Sequence, residues 1–349
     1  MTRSHLPNLL ATVALLSAAV TGCSPTNDGA STGSGTAGVG SVGYSTEFLS
    51  DPFQAVLAKQ FVAAATKIGV STLSPASANN QASQQDTDIR NLITAGAKGI
   101  VVVPGDSAAI VPTIQFANSK NVPVVSLDVG PNSGKVAMIV RTDNVGMGAA
   151  QCESIGDALR GKGKVLELQG ALTNINGKDR AAGFEDCMKT KYPGITVLAK
   201  PTNWDSAKAA DATQTVLNAT PDLDGIVMAS DSVMLTSVLA VLKKAGKTTP
   251  AGQPGHIVVT TIDGTPAALE AIRSGDVDAV VSQPLDAYAS LAAQYIQQAM
   301  SGKTFTAGPT DHNSTIVPVN GNLQDQLEAP VVTKANVDDK TLWGNQTTS

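Results

Sequence analysis

Apolar runs alternate with amphipathic segments about every 25–30 residues along 39–300, and this alternation limits the possible folds more than any other feature. A short run rich in Val and Ile with no polar face reads as a strand buried on both sides. Such runs stand at 39–44, 70–73, 100–103, 122–127, 136–140, 165–168, 195–199, 225–229, 257–262 and 277–281. Between them lie segments with helical spacing; Phe53, Val56, Leu57, Phe61, Ala64 and Ile68 give the first its apolar face. The pattern predicts βα units on mostly parallel sheets. At 349 residues the chain exceeds what one core usually serves, and the pattern restarts near Arg141. The expectation is an α/β protein of two doubly wound lobes. Past Val317 the sequence turns polar, and 320–349 reads as a loosely held tail with Trp343 as its large anchor.

Open sheets of this kind bind ligands outside the carboxyl ends of their strands. Residues at those ends are therefore the candidates. Asp51 follows the first strand, Asp128 ends 122–127, Ser230 and Asp231 follow 225–229, Asp263 ends 257–262, and Gln283 follows 277–281. Each acid has an alternative role as a helix cap. Gathered at one sheet edge, acids and amides accept from and donate to hydroxyl groups, which is what a sugar or polyol needs. Aromatic faces cover the C–H surface of such a ligand. Aromatics make up 3% of the chain, so Phe53 and Trp204 at loop starts stand out, with ordinary core packing as their alternative.

Other chemistries find less support. Neither His256 nor His312 accompanies a G-x-S-x-G motif, so no catalytic residue is assigned, although carboxylates facing one cleft leave a carbohydrate-active enzyme open. Gly38, Gly40 and Gly43 match G-x-G-x-x-G, but they begin a strand instead of opening a helix, which argues against a nucleotide. A net charge of -5 with scattered basic residues gives no footprint for nucleic acid. There is no zinc spacing, and no metal or cofactor is expected.

The amino terminus reads as an export signal and is set apart from the fold. Arg3, an apolar stretch at 9–20 and the small residues before Cys23 resemble the bacterial lipobox. That resemblance implies a lipoprotein signal peptide at 1–22, removed so that Cys23 becomes the lipidated first residue; the alternative is an ordinary secretory signal with a chance cysteine. Residues 24–38 are almost all Ser, Thr, Gly, Asn, Asp, Ala and Pro. They form a flexible tether of roughly 20 Å. The body is then expected outside the cell, held to the outer face of the cytoplasmic membrane by the lipid alone. Cys152 and Cys187 remain, either as a disulfide favoured by the oxidising compartment or as two buried thiols.

From 39 to 318 the chain resembles the periplasmic solute-binding proteins of the ribose-binding type. The resemblance rests on collinear motifs: SDPF at 50–53, GIVVVPGDSAAI at 99–110, VPVVSLD at 122–128, TDNVGMG at 142–148, KVLELQG at 164–170, RAAGF at 180–184, ASD at 229–231, IDGTP at 262–266 and SQP at 282–284. It implies a type I periplasmic binding fold, two Rossmann-like lobes joined by a three-stranded hinge, working as a monomer with an ABC permease and ATPase. The ligand positions carried over are Asp51, Phe53, Asp128, Arg180, Trp204, Asp263 and Gln283; Arg180 could otherwise be a solvated helix residue. Departures stand at Gln54 in place of a second aromatic, Val103 in place of Asn, Val129 in place of Arg and Ser230 in place of Asn. The changes argue against ribose and towards a different pentose or a small C4–C6 polyol, with acyclic polyols favoured because Gln54 adds a hydrogen-bonding group. The hinge crossings are placed near Thr142, Pro284 and Ser314. The lobes are then 39–142 with 284–313 and 143–283 with 314–328, followed by a tail at 329–349. A sensory module reporting a sugar to a membrane receptor is the rival reading.

Overall fold

The structure, a computed structural model, describes residues 40–346. The expected signal peptide, Cys23, the tether and Val39 lie outside the described residues. The first half of the body comprises β1 (Val42–Thr46), α1 (Pro52–Lys67), β2 (Ala76–Ser77), α2 (Ala82–Thr94), β3 (Gly99–Val102), α3 (Val111–Ser119), β4 (Val124–Leu127), β5 (Met138–Thr142), α4 (Asn144–Ala158), β6 (Gly163–Gln169), α5 (Ile175–Lys191) and β7 (Ile195–Pro201). There follow α6 (Ser206–Ala219), β8 (Gly225–Met228), α7 (Asp231–Lys244), β9 (Val258–Asp263), α8 (Pro266–Ser274), β10 (Ala279–Ser282), α9 (Leu285–Met300), β11 (Gly308–Pro309), β12 (Thr315–Val319), β13 (Asn322–Leu327), β14 (Val331–Val332) and α10 (Trp343–Gln346).

The apolar runs became strands for the expected reason: β3, β4, β8 and β10 are buried along their whole length, as parallel strands covered on both faces must be. Helices begin where a short polar side chain can take the free N–H groups of the first turn, as Asp51, Asp143, Asp205 and Ser230 do. Two sheets result, in the orders β11-β12-β13-β5-β4-β3-β1-β2 and β14-β10-β9-β8-β6-β7. Strand order reverses between β1 and β3 in the first sheet and between β6 and β8 in the second. The carboxyl ends at those points are where a doubly wound sheet leaves a crevice. After β10 the chain returns to the first sheet, where Leu285, Tyr288, Ala292 and Ile296 of α9 join Tyr44, Leu57 and Phe61 in one core. Gly43 lies inside β1 and Gly40 precedes it, while Gly38 lies outside the described residues.

Four expectations about the chain's path need correction. In the run at 70–73 only Thr72 pairs, by a single bridge to Val42, and the strand itself is Ala76–Ser77. The segment 314–328 does not belong to the second lobe: β12 and β13 extend the first sheet, with β13 parallel to β5. The third crossing therefore lies between Leu327 and Val331, not near Ser314, and β14 pairs with β10 of the second sheet. Nor do the described residues 329–346 form a loose tail, since Val332, Leu342 and Trp343 are buried. Polar composition concealed all this. Asp325 of β13 is wholly buried, and its carboxylate accepts from Tyr295 and Ser314 and pairs with His312.

Helices α4 and α5 approach unusually closely. A Cβ on Gly148 would lie 2.0 Å from the Arg180 carbonyl oxygen, and one on Gly183 would lie 2.0 Å from that of Val145, so both positions need glycine for lack of space. A disulfide between Cys152 and Cys187 ties the same pair, with a Cα–Cα distance of 6.1 Å. Replacing both cysteines with serine frees a loop of sequence separation 35 and should cost about 3 kcal/mol. Urea denaturation followed by circular dichroism checks this; an unchanged midpoint would show that the bond does not stabilise the lobe.

Candidate functional site

The crevice between the sheets is lined from both sides. The first lobe contributes the loop after β1, the start of α1 and the end of β4; the second contributes the start of α5, the turn after β7 and the ends of β8, β9 and β10. The lobes are shut on one another. Asn174 Nδ2 donates to the Pro104 carbonyl at 3.2 Å, and the Ile175 N–H donates to Ser107 Oγ at 3.0 Å. The space left between the lobes is ≈ 30 Å³, room for about one water molecule. The wall's side chains fill the rest by bonding to each other.

Asp263 is the centre of that network. It ends β9 with φ 122°, outside the ordinary range for a side-chain-bearing residue. Its Oδ1 accepts from Gln283 Nε2 at 2.8 Å, and its Oδ2 accepts from Ser230 Oγ at 2.6 Å. The Arg180 guanidinium stands 3.8 Å away. Arg180 is buried, not solvated: Nε donates to Asn144 Oδ1 at 2.8 Å and Nη1 to the Ala229 carbonyl at 2.7 Å. The close crossing at Gly148 and Gly183 makes that reach possible. Gln283 couples the network to the hinge, since its Oε1 accepts from Tyr288, whose hydroxyl also lies 2.9 Å from Thr142 Oγ1.

The first lobe presents a second acid. Asp128, at φ 61° after β4, accepts from Gln54 Nε2 at 3.0 Å and Asn176 Nδ2 at 3.1 Å. Burial pushes its carboxyl up to about 6 against the pull of Arg180. Asp51 both caps α1, accepting from the Phe53 N–H at 3.2 Å, and lines the space; burial, then Asp263, raises it to about 7. Phe53 meets Trp343 edge-on at 5.7 Å. Trp204 closes the other side, 5.9 Å from the Arg180 guanidinium, and its Nε1 is buried without a partner.

Nine of the ten expected residues thus meet in one place. Asp231 does not: its oxygens accept from the Gly264 and Thr265 N–H groups at 2.8 and 3.2 Å, shaping the turn between β9 and α8. Its neighbour Ser230 takes the inward direction. Glu47, Asn174 and Asn176 line the space without having been singled out. The two asparagines open α5, a signal the strand-end argument could have used. Glu47 directly follows a strand expected to end at Tyr44. Arg141, also missed, holds Asn176 Oδ1 at 2.8 Å and Asp179 at 2.6 Å.

The sequence matches the model of the periplasmic binding protein domain over residues 42–304. The chain belongs to the periplasmic binding protein family. It is 34% identical over 202 residues to a xylitol-binding protein of Mycolicibacterium smegmatis, covering 57% of this chain and 55% of that relative, so the match spans little more than half of its length. It is 29% identical over 262 residues to the ribose import binding protein of Bacillus subtilis, covering 75% and 82% of the two chains. A solved ABC transporter solute binding protein from Mycobacterium smegmatis with bound glycerol superposes with a TM-score of 0.74 at 27% identity, over 85% of this chain and 95% of that one.

In this periplasmic binding protein the C-terminal segment supports the site directly. Trp343 Nε1 donates to the Asp263 main-chain carbonyl at 2.8 Å. Trp343→Ala should therefore cost about 3–5 kcal/mol and loosen the strand end. Chemical denaturation reads this; an unchanged stability would mean that the segment is dispensable.

Proposed function

We propose that this protein captures a pentose or a small C4–C6 polyol between its lobes, without turning it over, and delivers it to an ABC permease and its ATPase. The observation that carries the reading is the buried ring of paired donors and acceptors around Asp263 and Asp128, set between Phe53 and Trp204. Acids, amides and a guanidinium at hydrogen-bonding reach suit neighbouring hydroxyls, and aromatic faces suit the C–H surface between them. Gln54, where the ribose-type pattern stacks an aromatic, favours an acyclic polyol. The relatives said to bind xylitol and ribose, and the one holding glycerol, agree with this ligand class.

Closure over the ligand is a population shift by differential affinity. The ligand's hydroxyls take over the bonds that Gln54, Ser230 and Gln283 make to the two acids, and the closed form is the one the permease takes. We further propose export, with a lipid on Cys23 holding the monomer to the outer face of the cytoplasmic membrane. No helix among the described residues is long and apolar enough to cross a membrane.

A thermal-shift screen of the soluble body against pentoses, hexoses and C4–C6 polyols tests the ligand class. A ligand at about 100 times its Kd should add about 2.7 kcal/mol of stability, and Asp263→Ala should abolish the gain while leaving the protein folded. A shift with an amino acid or nucleoside and none with a polyol or sugar would overturn the reading.

A further inference from the structure

Glu47 lines the cavity, is 5% exposed, and carries an Oε2 that is buried with no hydrogen-bond partner. The other acids of the wall are already supplied. Asp128 takes Gln54 and Asn176, Asp263 takes Gln283 and Ser230, and Asp51 takes the N–H of Phe53. A buried carboxyl left over in this way and facing the cavity is placed to bond a ligand.

Charge balance decides which form of Glu47 fits. Asp51 from the start of α1, Asp128 from the end of β4 and Asp263 from the end of β9 all act on it, and it acts in turn on Tyr44 of β1, whose own hydroxyl is unpartnered. The cation acting on it is Arg180 of α5, which lies against Asp263. The next guanidinium, that of Arg141, is engaged by Asp179. An ionised Glu47 would add an uncompensated charge where water is excluded, and buried groups in that position neutralise instead. A neutral acid also matches a hydroxyl better, since it donates as well as accepts, while a carboxylate can only accept.

We propose that Glu47 serves the closed cleft as a neutral carboxylic acid, donating a hydrogen bond to a ligand hydroxyl and so selecting an uncharged polyol over an amine. The proposal rests on the reading of the cleft as a polyol site. Burial, followed by Asp128 and Asp51, pushes this carboxyl well above its ordinary range, in keeping with the geometry. The proton is held at low pH, so affinity is full there and falls as pH rises through the Glu47 pKa, where closure takes up a proton.

Two readouts test this. The infrared difference spectrum of wild type minus Glu47→Gln at pH 7, taken without ligand, should contain a protonated-carboxyl band that moves in D2O; its absence overturns the proposal. Titration calorimetry with C4–C6 polyols, in phosphate and in Tris at pH 8, should show proton uptake that is smaller in Glu47→Gln. That variant should bind within a few-fold of wild type at pH 6 and more tightly at pH 9, because an amide also donates and accepts. Weaker binding by Glu47→Gln at every pH, or preference for an amino-substituted polyol over its neutral parent, also overturns it. If no polyol or pentose binds wild type at any pH, the transport reading fails, while the infrared band still decides the state of Glu47.

Discussion

A carboxylate buried as deeply as that of Asp263 has to be surrounded by donors, and much of the molecule is arranged to supply them. Ser230 comes as a donor from the end of β8 and Gln283 from the end of β10, while Arg180 of α5 stands 3.8 Å away as the ion-pair partner. Parallel pairing of β8, β9 and β10 brings the strand ends level. Arg180 reaches its place because glycines at 148 and 183 let two helices nearly touch. Trp343 fixes the Asp263 carbonyl from behind. The acid's position is thus held by four elements, and removing any one of them alters the same point.

Asp263 is also where the lobes are coupled. Gln283 binds it on one side and reaches Tyr288 on the other, and Tyr288 bonds Thr142 at the first crossing. Two of the three crossings therefore share a hydrogen-bond chain with a ligand-facing acid. Such a chain makes the hinge sensitive to what occupies the cleft, because a hydroxyl that displaces Gln283 from Asp263 changes a bond at the crossing itself. On the opposite face of the cleft, Asp128 and Asn176 form the corresponding bond between lobes. The two acids thus mark the two sides that must come together.

Much of this was legible in the sequence because parallel strands covered on both faces leave an unmistakable apolar run, and the residue ending each run is fixed at the cleft edge. Asp128, Asp263 and Gln283 were found by that rule alone. The rule cannot tell which of two adjacent polar residues turns inward, and so Asp231 was grouped with Ser230 although it braces a neighbouring turn. It also fails when a strand runs past its apolar part: β1 continues through Ser45 and Thr46, which hid Glu47. Polar β13 was invisible for the converse reason. Asp325 is buried only because Tyr295, Ser314 and His312, from elements on either side of it, converge on its oxygens, and hydropathy carries no trace of such partners.

The bonds now made among the side chains that line the cleft stand in place of bonds to ligand hydroxyls. A crystal structure of the protein with a bound C5 polyol tests this most directly. The carbon chain should lie between Phe53 and Trp204, with hydroxyls on Asp128, Arg180 and Asp263, and the Gln54–Asp128 and Gln283–Asp263 hydrogen bonds should be broken or shared. A polyol bound elsewhere, with that network intact, would contradict it.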